Sequence, residues 1–123
     1  MTKFYKLLKF SIFLLILTFG KTIAQPCYNA SAYGTANVST YNSTMVNITT
    51  CNYAGEYATI NTSVGGVFTF SDNIATDYLT LATGVSSGSI ISGFAPITAT
   101  LTPGTYYLHV ALNSTCGTQS TCR

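Results

Sequence analysis

Thr102-Pro103-Gly104-Thr105-Tyr106-Tyr107-Leu108-His109-Val110-Ala111-Leu112 joins a turn signal to the clearest strand of the chain. Proline fixes φ and glycine tolerates positive φ, so the first four residues favour a tight turn. In the strand that follows, the even-numbered residues share one face, and Tyr107, His109 and Ala111 share the other. This alternation predicts a strand with an apolar row turned toward a core.

The sequence upstream repeats this pattern in shorter runs. Gly65-Gly66 and Ser71-Asp72-Asn73 are turn signals between runs of β-branched and aromatic residues. The straight-chain residues that favour helices are nearly absent after residue 24. We therefore predict an all-β fold, an antiparallel, jelly-roll-like β-sandwich of seven or eight short strands. Beside the strand above, the predicted strands are residues 36–41, 45–49, 57–62, 67–70, 78–83, 89–92 and 97–101.

The amino terminus has the pattern of an export signal. Three lysines in Met1–Lys9 precede a ten-residue run, Phe10–Phe19, that is apolar except at two positions, and Thr22-Ile23-Ala24 follows. This pattern predicts a Sec-type signal-peptide helix over residues 1–24, cleaved before Gln25. A membrane-spanning helix needs about 20 apolar residues, so the run is too short to span. We expect a secreted or cell-surface protein that meets the membrane only through the uncleaved signal peptide.

Removal of the signal peptide changes the charge of the chain. All four lysines lie at or before Lys21, so residues 25–123 keep one base, Arg123, and three acids, for a formal charge of −2. No basic patch remains that could bind phosphate backbones. Nucleic acid is therefore not an expected partner.

All four cysteines, Cys27, Cys51, Cys116 and Cys122, follow the predicted cleavage site. An even number of cysteines in an exported chain indicates disulfides. Four cysteines allow three pairings, and the short, flexible loop between Cys116 and Cys122 favours that pair and hence Cys27–Cys51. The spacings lack a C-x-x-C pair, which disfavours a zinc site.

The second half of the chain resembles a known family. Gly65-Gly66-Val67-Phe68-Thr69-Phe70, then Asp77-Tyr78-Leu79-Thr80-Leu81, then the run Leu101–Val110 are similar to the pre-peptidase C-terminal-like β-sandwich of secreted bacterial proteins. The resemblance covers roughly residues 44–123 and implies a non-catalytic module of adhesin-like exported proteins. Upstream of it, the polar and weakly patterned sequence predicts a weakly structured segment at residues 25–43 that holds one edge strand. Whether the domain continues beyond Arg123 as part of a longer protein stays open.

Few side chains could support catalysis or bind a metal. His109 is the only histidine, and Glu56, Asp72 and Asp77 are the only acids. No serine lies in a Gly-x-Ser-x-Gly elbow, and a surface or half-buried strand position is the favoured interpretation of His109. Asp72, Asn73 and Asp77 could bind calcium through oxygen ligands, but turn capping by Asp and Asn is favoured. We therefore expect no catalytic residues and no cofactor, and a small exported enzyme is the weakest alternative.

Tyrosines are the remaining candidates for binding. Tyr57 and Tyr107 lie opposite the predicted core rows, and an exposed tyrosine combines apolar area with a polar tip. Ordinary sheet-surface tyrosine is the simpler interpretation. The sequence favours a non-catalytic extracellular module with an adhesion or accessory role, whose partners are surface glycans or other extracellular proteins. The alternative is a carbohydrate-binding module of an exported hydrolase system.

Overall fold

The computed structural model describes residues 24–123, and this part of the chain contains seven strands and no helix. The signal-peptide prediction for residues 1–24 lies almost wholly outside the described residues. Within the described part, no segment could cross a membrane as a helix. The strands are β1 (Ser31–Val38), β2 (Glu56–Thr62), β3 (Gly66–Phe70), β4 (Tyr78–Ala82), β5 (Ser89–Phe94), β6 (Ile97–Leu101) and β7 (Gly104–Ala111).

The strands form a mixed five-stranded sheet and a two-stranded sheet. The large sheet has the order β1-β2-β7-β4-β5, and β3 pairs with β6. All pairs are antiparallel except β1 with β2, which run parallel. The prediction of a purely antiparallel, jelly-roll-like arrangement is therefore wrong at β1. Parallel neighbours need a long connection, and residues 39–55, called here the crossover, provide it.

One hydrophobic core is shared by the two sheets. Tyr106, Leu108 and Val110 of β7 lie in it, which confirms the apolar face predicted for this strand. Leu79 and Leu81 of β4 pack there as well. The small sheet contributes Phe70, Ile97, Ala99 and Leu101. Burial of this alternating apolar row against a second sheet is what a two-sheet core requires.

The strand predicted at residues 45–49 does not form. These residues lie in the irregular crossover, where Met45 is 86 % exposed. Their sequence alternates, but they do not pair with a strand of either sheet. Alternation alone therefore did not identify a strand here.

The segment 25–43, expected to be weakly structured, contains β1. This edge strand pairs with β2 over most of its length and begins earlier than the predicted residues 36–41. A bulge between Ala32 and Thr35 contains Gly34, whose φ is +90°. A Cβ at Gly34 would lie 2.9 Å from the Cβ of Thr49 in the crossover. Glycine thus allows both the bulge and the close approach of the crossover.

All four cysteines form disulfides, but the favoured pairing is wrong. The bridges are Cys27–Cys116 and Cys51–Cys122. The carboxyl-terminal residues run back along residues 52–54, because Arg123 pairs with Asn52 and the Gln119 N–H donates to the Ala54 carbonyl. This pairing carries Cys122 to Cys51, which leaves Cys116 beside Cys27. Two disulfides are consistent with an oxidising compartment.

Candidate functional site

Residues 25–30, called here the N-terminal segment, cover part of the outer face of the large sheet. The Cys27 N–H donates to Thr80 Oγ1 at 2.9 Å, and the Asn29 side-chain amide donates to the carbonyls of Glu56 and Val110. Cys27 is buried in a small apolar cluster with Tyr78, Ala111 and Cys116. The outer face is therefore sealed over β4 and the end of β7.

His109 lies beneath this segment and is fully buried, so a surface or half-buried position is ruled out. Its Nδ1 accepts a hydrogen bond from the Asn29 N–H at 3.0 Å, and the ring contacts Tyr28 and Tyr57 edge-on or tilted. Burial lowers the pKa of His109 below its ordinary value, and the nearby Gly84 backbone opposes this in part. His109 Nε2 is buried without a hydrogen-bond partner. A neutral imidazole held in this way serves as packing and as an acceptor.

The three acids are each engaged within the fold. Glu56 Oε2 accepts from the Tyr53 N–H at 2.8 Å, and Asp72 Oδ1 accepts from the Ile74 N–H at 3.2 Å. Burial raises the pKa of Asp72, and the neighbouring Asp77 charge adds to the effect, whereas backbone hydrogen bonds from Ile74 and Asn73 and the Arg123 charge oppose it. The contact with Ile74 is the turn capping that the sequence favoured for Asp72.

Asp77 forms a buried ion pair. Both of its carboxylate oxygens accept from Arg123 Nη1 at 2.6 Å, and both side chains are almost fully buried. Arg123 Nη2 also donates to Gln119 Oε1. Asp77 is therefore not a free carboxylate for calcium, and Asn73 lies exposed in the preceding loop. Within residues 24–123, no three His, Cys, Asp or Glu side chains come together as a set of metal ligands.

Tyr57 and Tyr107 lie side by side on the outer face of β2 and β7. Their ring centroids are 5.7 Å apart and the ring planes meet at 77°. Both side chains are half-buried, so each offers only part of a ring to solvent. An edge-to-face pair of this kind is a favourable aromatic contact, but it does not form a flat platform.

A row of amide and hydroxyl groups continues this face toward the other end of the strands. The Asn61 side-chain amide donates to Asn37 Oδ1 at 3.0 Å, and Thr105 Oγ1 donates to Asn61 Oδ1 at 2.9 Å. The three residues are direct neighbours across β1, β2 and β7. Together with Tyr57 and Tyr107 they form what is called here the outer surface, which is uncharged. The outward period of two in β2 could have found Asn61 from the sequence.

A cavity of about 900 Å³ lies on the opposite, inner face of the same strands. The crossover and β3 form its outer wall, and Ala36, Ala58 and Ile60 line its inner wall. Tyr41 of the crossover is attached to β3 by hydrogen bonds between its hydroxyl and the Val67 backbone. Sequence reasoning missed this cavity, because it depends on how loosely the crossover packs.

Two polar side chains lie at the wall of this cavity. Asn52 and Arg123 both line it and are 4 % and 8 % exposed. Asn52 Oδ1 and Arg123 Nε are buried without a hydrogen-bond partner. Buried polar atoms are usually paired, so this orphaned acceptor and donor are unusual.

No protein-family model, curated protein or solved structure matches this chain.

Proposed function

We propose that the chain is a non-catalytic extracellular β-sandwich module with an adhesion or accessory role, which binds glycans or other extracellular proteins through the outer surface. One observation carries the proposal. Every acid of the chain and its only histidine are engaged in structural contacts, whereas the outer surface offers uncharged amides, hydroxyls and rings.

Acid–base chemistry needs a group that can reach a proton on the substrate. His109 and Asp77 are fully buried, and their polar atoms face other parts of the same chain. Glu56 and Asp72 cap backbone N–H groups at two different turns, and only Asp72 lines the cavity. This distribution supports binding over catalysis.

The resemblance to the pre-peptidase C-terminal-like module supports an accessory role. The residues that carry it lie mainly in β3, β4 and β7, and the two disulfides suit an exported protein. The export signal predicted for residues 1–24 would deliver the chain to the cell surface or beyond.

Carbohydrate binding is the alternative function, and the amide–hydroxyl row favours it. Asn37, Asn61 and Thr105 present donors and acceptors that match sugar hydroxyl groups. Tyr57 and Tyr107 do not stack on one flat polysaccharide surface, because their planes meet at 77°. A single sugar ring on one tyrosine, with hydroxyls on the amide row, is the mode this surface suits.

The test uses residues 25–123, expressed with the disulfides formed, on glycan arrays and on extracellular protein extracts. We expect binding that falls at least tenfold in Tyr107→Ala and in Asn61→Ala, with wild-type affinity in Val67→Ala on the exposed face of β3. Because the surface is uncharged, affinity should change little between low and moderate salt. Binding of the module to defined glycans but not to extracellular proteins would support the carbohydrate alternative.

Hydrolase activity in the same preparation, abolished by Glu56→Gln or Asp72→Asn, would overturn the proposal. Binding that survives both outer-surface variants would locate the site elsewhere on the module and remove the role given to this face.

A further inference from the structure

The cavity beneath the crossover has the features of a ligand site that is separate from the outer surface. We infer that it binds a neutral amphipathic small molecule, an apolar chain with a hydroxyl head group. This inference does not depend on the proposed adhesion role, because the cavity and the outer surface lie on opposite faces of the large sheet.

The apolar part of the ligand is indicated by the cavity walls. Ala58, Ile60 and Leu108 line it from the large sheet, and Ile48 and Phe68 line it from the covering side. Its volume of about 900 Å³ lies within the range of small-molecule sites, roughly 300–1,000 Å³. A long apolar chain displaces water from such walls at no cost in hydrogen bonds.

The head group is indicated by the two orphaned polar atoms. The Arg123 N–H donates to the Asn52 carbonyl at 2.9 Å, and the Asn52 N–H donates to the Arg123 carbonyl at 3.4 Å. Residues that exchange both backbone bonds are direct antiparallel partners, so their side chains emerge on the same side. Asn52 Oδ1, which needs a donor, and Arg123 Nε–H, which needs an acceptor, thus belong to side chains on the same side of this pair, and both residues line the cavity.

A hydroxyl group satisfies both atoms at once. Its O–H donates to Asn52 Oδ1, and its oxygen accepts from Arg123 Nε–H. The charges at this end of the cavity disfavour an anionic head group on the ligand. The Asp77 carboxylate already neutralises the Arg123 guanidinium, and Asp72 also lines the cavity. A carboxylate ligand would bring a further negative charge to this neutral or acidic end.

The experiment is calorimetric titration of residues 25–123 with three ten-carbon probes at pH 7.5. The probes are 1-decanol, decyl methyl ether, which accepts but cannot donate, and decanoate. We expect 1-decanol to bind and the other two to bind roughly tenfold more weakly, as the loss of one buried hydrogen bond implies.

Asn52→Leu tests the head-group contact directly. It should weaken 1-decanol roughly tenfold and leave the ether unchanged, because only the alcohol uses Asn52 Oδ1. Its thermal midpoint should be equal or higher, since the substitution removes an unpaired buried acceptor. Ala36→Leu adds a larger apolar side chain at the cavity wall and should weaken the binding of all three probes. Thr35→Leu adds the same side chain at the neighbouring, exposed position and should bind as wild type.

Failure of 1-decanol to bind would overturn the inference. Equal affinities for the alcohol and the ether, unchanged by Asn52→Leu, would show an apolar cavity without the proposed polar recognition. Either result leaves the outer-surface proposal untouched, because Tyr107→Ala and Asn61→Ala change side chains on the other face.

Discussion

Two irregular segments cover the two faces of one sheet, and they do so differently. The N-terminal segment is six residues long and is held by hydrogen bonds at Cys27, Tyr28 and Asn29 and by the disulfide of the buried Cys27 with Cys116. The crossover, residues 39–55, is more than twice as long. It is attached through the Tyr41 hydroxyl and, near its end, through the disulfide of Cys51 and the backbone bonds of Asn52, Ala54 and Gly55.

The difference shows what seals a sheet face. Under the N-terminal segment, hydrogen bonds of 2.9–3.0 Å join it to Thr80, His109 Nδ1 and Ser89, and a histidine and a threonine are fully buried. The Tyr78 hydroxyl and His109 Nε2 remain without a partner there. Under the crossover, apolar side chains remain partly exposed and a cavity persists. Closely spaced hydrogen bonds close one face over six residues, whereas the longer crossover has fewer of them for its length and leaves a cavity.

The largest expected effect comes from the disulfide that holds the N-terminal segment. The two bridges span 89 and 71 residues, and the loop formula gives each about 4.5 kcal/mol of stabilisation. Their surroundings differ, because Cys27 is buried and Cys122 is exposed. We expect Cys27→Ala/Cys116→Ala to cost about 5 kcal/mol and Cys51→Ala/Cys122→Ala to cost about 1–2 kcal/mol less.

Urea unfolding of both double variants measures this difference, and non-reducing peptide mapping of the wild type checks the pairs. Equal losses would mean that the burial of Cys27 adds nothing. A Cys116–Cys122 peptide would contradict the pairing itself.

The next effect concerns the ion pair at the wall of the cavity. Asp77→Asn leaves the Arg123 guanidinium buried without a counter-charge, and the expected loss is about 3–5 kcal/mol. Asp72→Asn is the matched control, because its side-chain oxygen still accepts from the Ile74 N–H and the loss should stay below about 1 kcal/mol. Chemical denaturation measures both. A loss at Asp77 no larger than at Asp72 would show that the pair is dispensable.

The sequence was informative where a strand alternates against the core. The faces of β7 follow from the residue pattern alone, because a period of two permits one apolar row to be buried. The all-β class follows from composition, because residues that favour helices are scarce and β-branched and aromatic residues are frequent. Seven of the eight predicted strands overlap observed ones, whereas residues 45–49 alternate without a strand edge to pair with.

The candidate site was less accessible from sequence, because it depends on long-range placement. The burial of His109 requires Asn29, which is 80 residues away, and the disulfides depend on the antiparallel pairing of residues 52–54 with the carboxyl-terminal residues. Local loop length favoured Cys116–Cys122, but loop-closure entropy rises slowly with length and was outweighed by that pairing.

A smaller loss of stability is expected when one asparagine of each covering segment is replaced by alanine. The Asn29 side chain donates to two carbonyls of the sheet, so Asn29→Ala leaves both without that donor and should cost about 2 kcal/mol. Asn42 in the crossover accepts only from the exposed Thr44 N–H, so Asn42→Ala should cost less than about 0.5 kcal/mol. Thermal unfolding of the two variants compares the segments directly. Similar decreases in the thermal midpoint of the two variants would show that the N-terminal segment is not held more firmly than the crossover.

The smallest effect is a pH dependence from His109, under the N-terminal segment. Burial lowers its pKa in the folded protein, whereas the unfolded chain keeps a value of about 6.5. Below that pH the unfolded state binds more protons, so stability falls as pH falls, by at most about 1.4 kcal/mol per unit. Asp72 acts in the opposite sense, because its raised pKa makes the folded state lose stability as pH rises from the ordinary value of 3.8 toward its folded pKa. Between pH 7.5 and 5.5 we therefore expect a loss of roughly 1 kcal/mol in wild type and a nearly flat profile in His109→Gln, measured by urea unfolding at each pH. If the free energy of unfolding instead increases as the pH is lowered from 7.5 to 5.5, the imidazole is protonated in the folded protein and Asn29 does not donate to Nδ1.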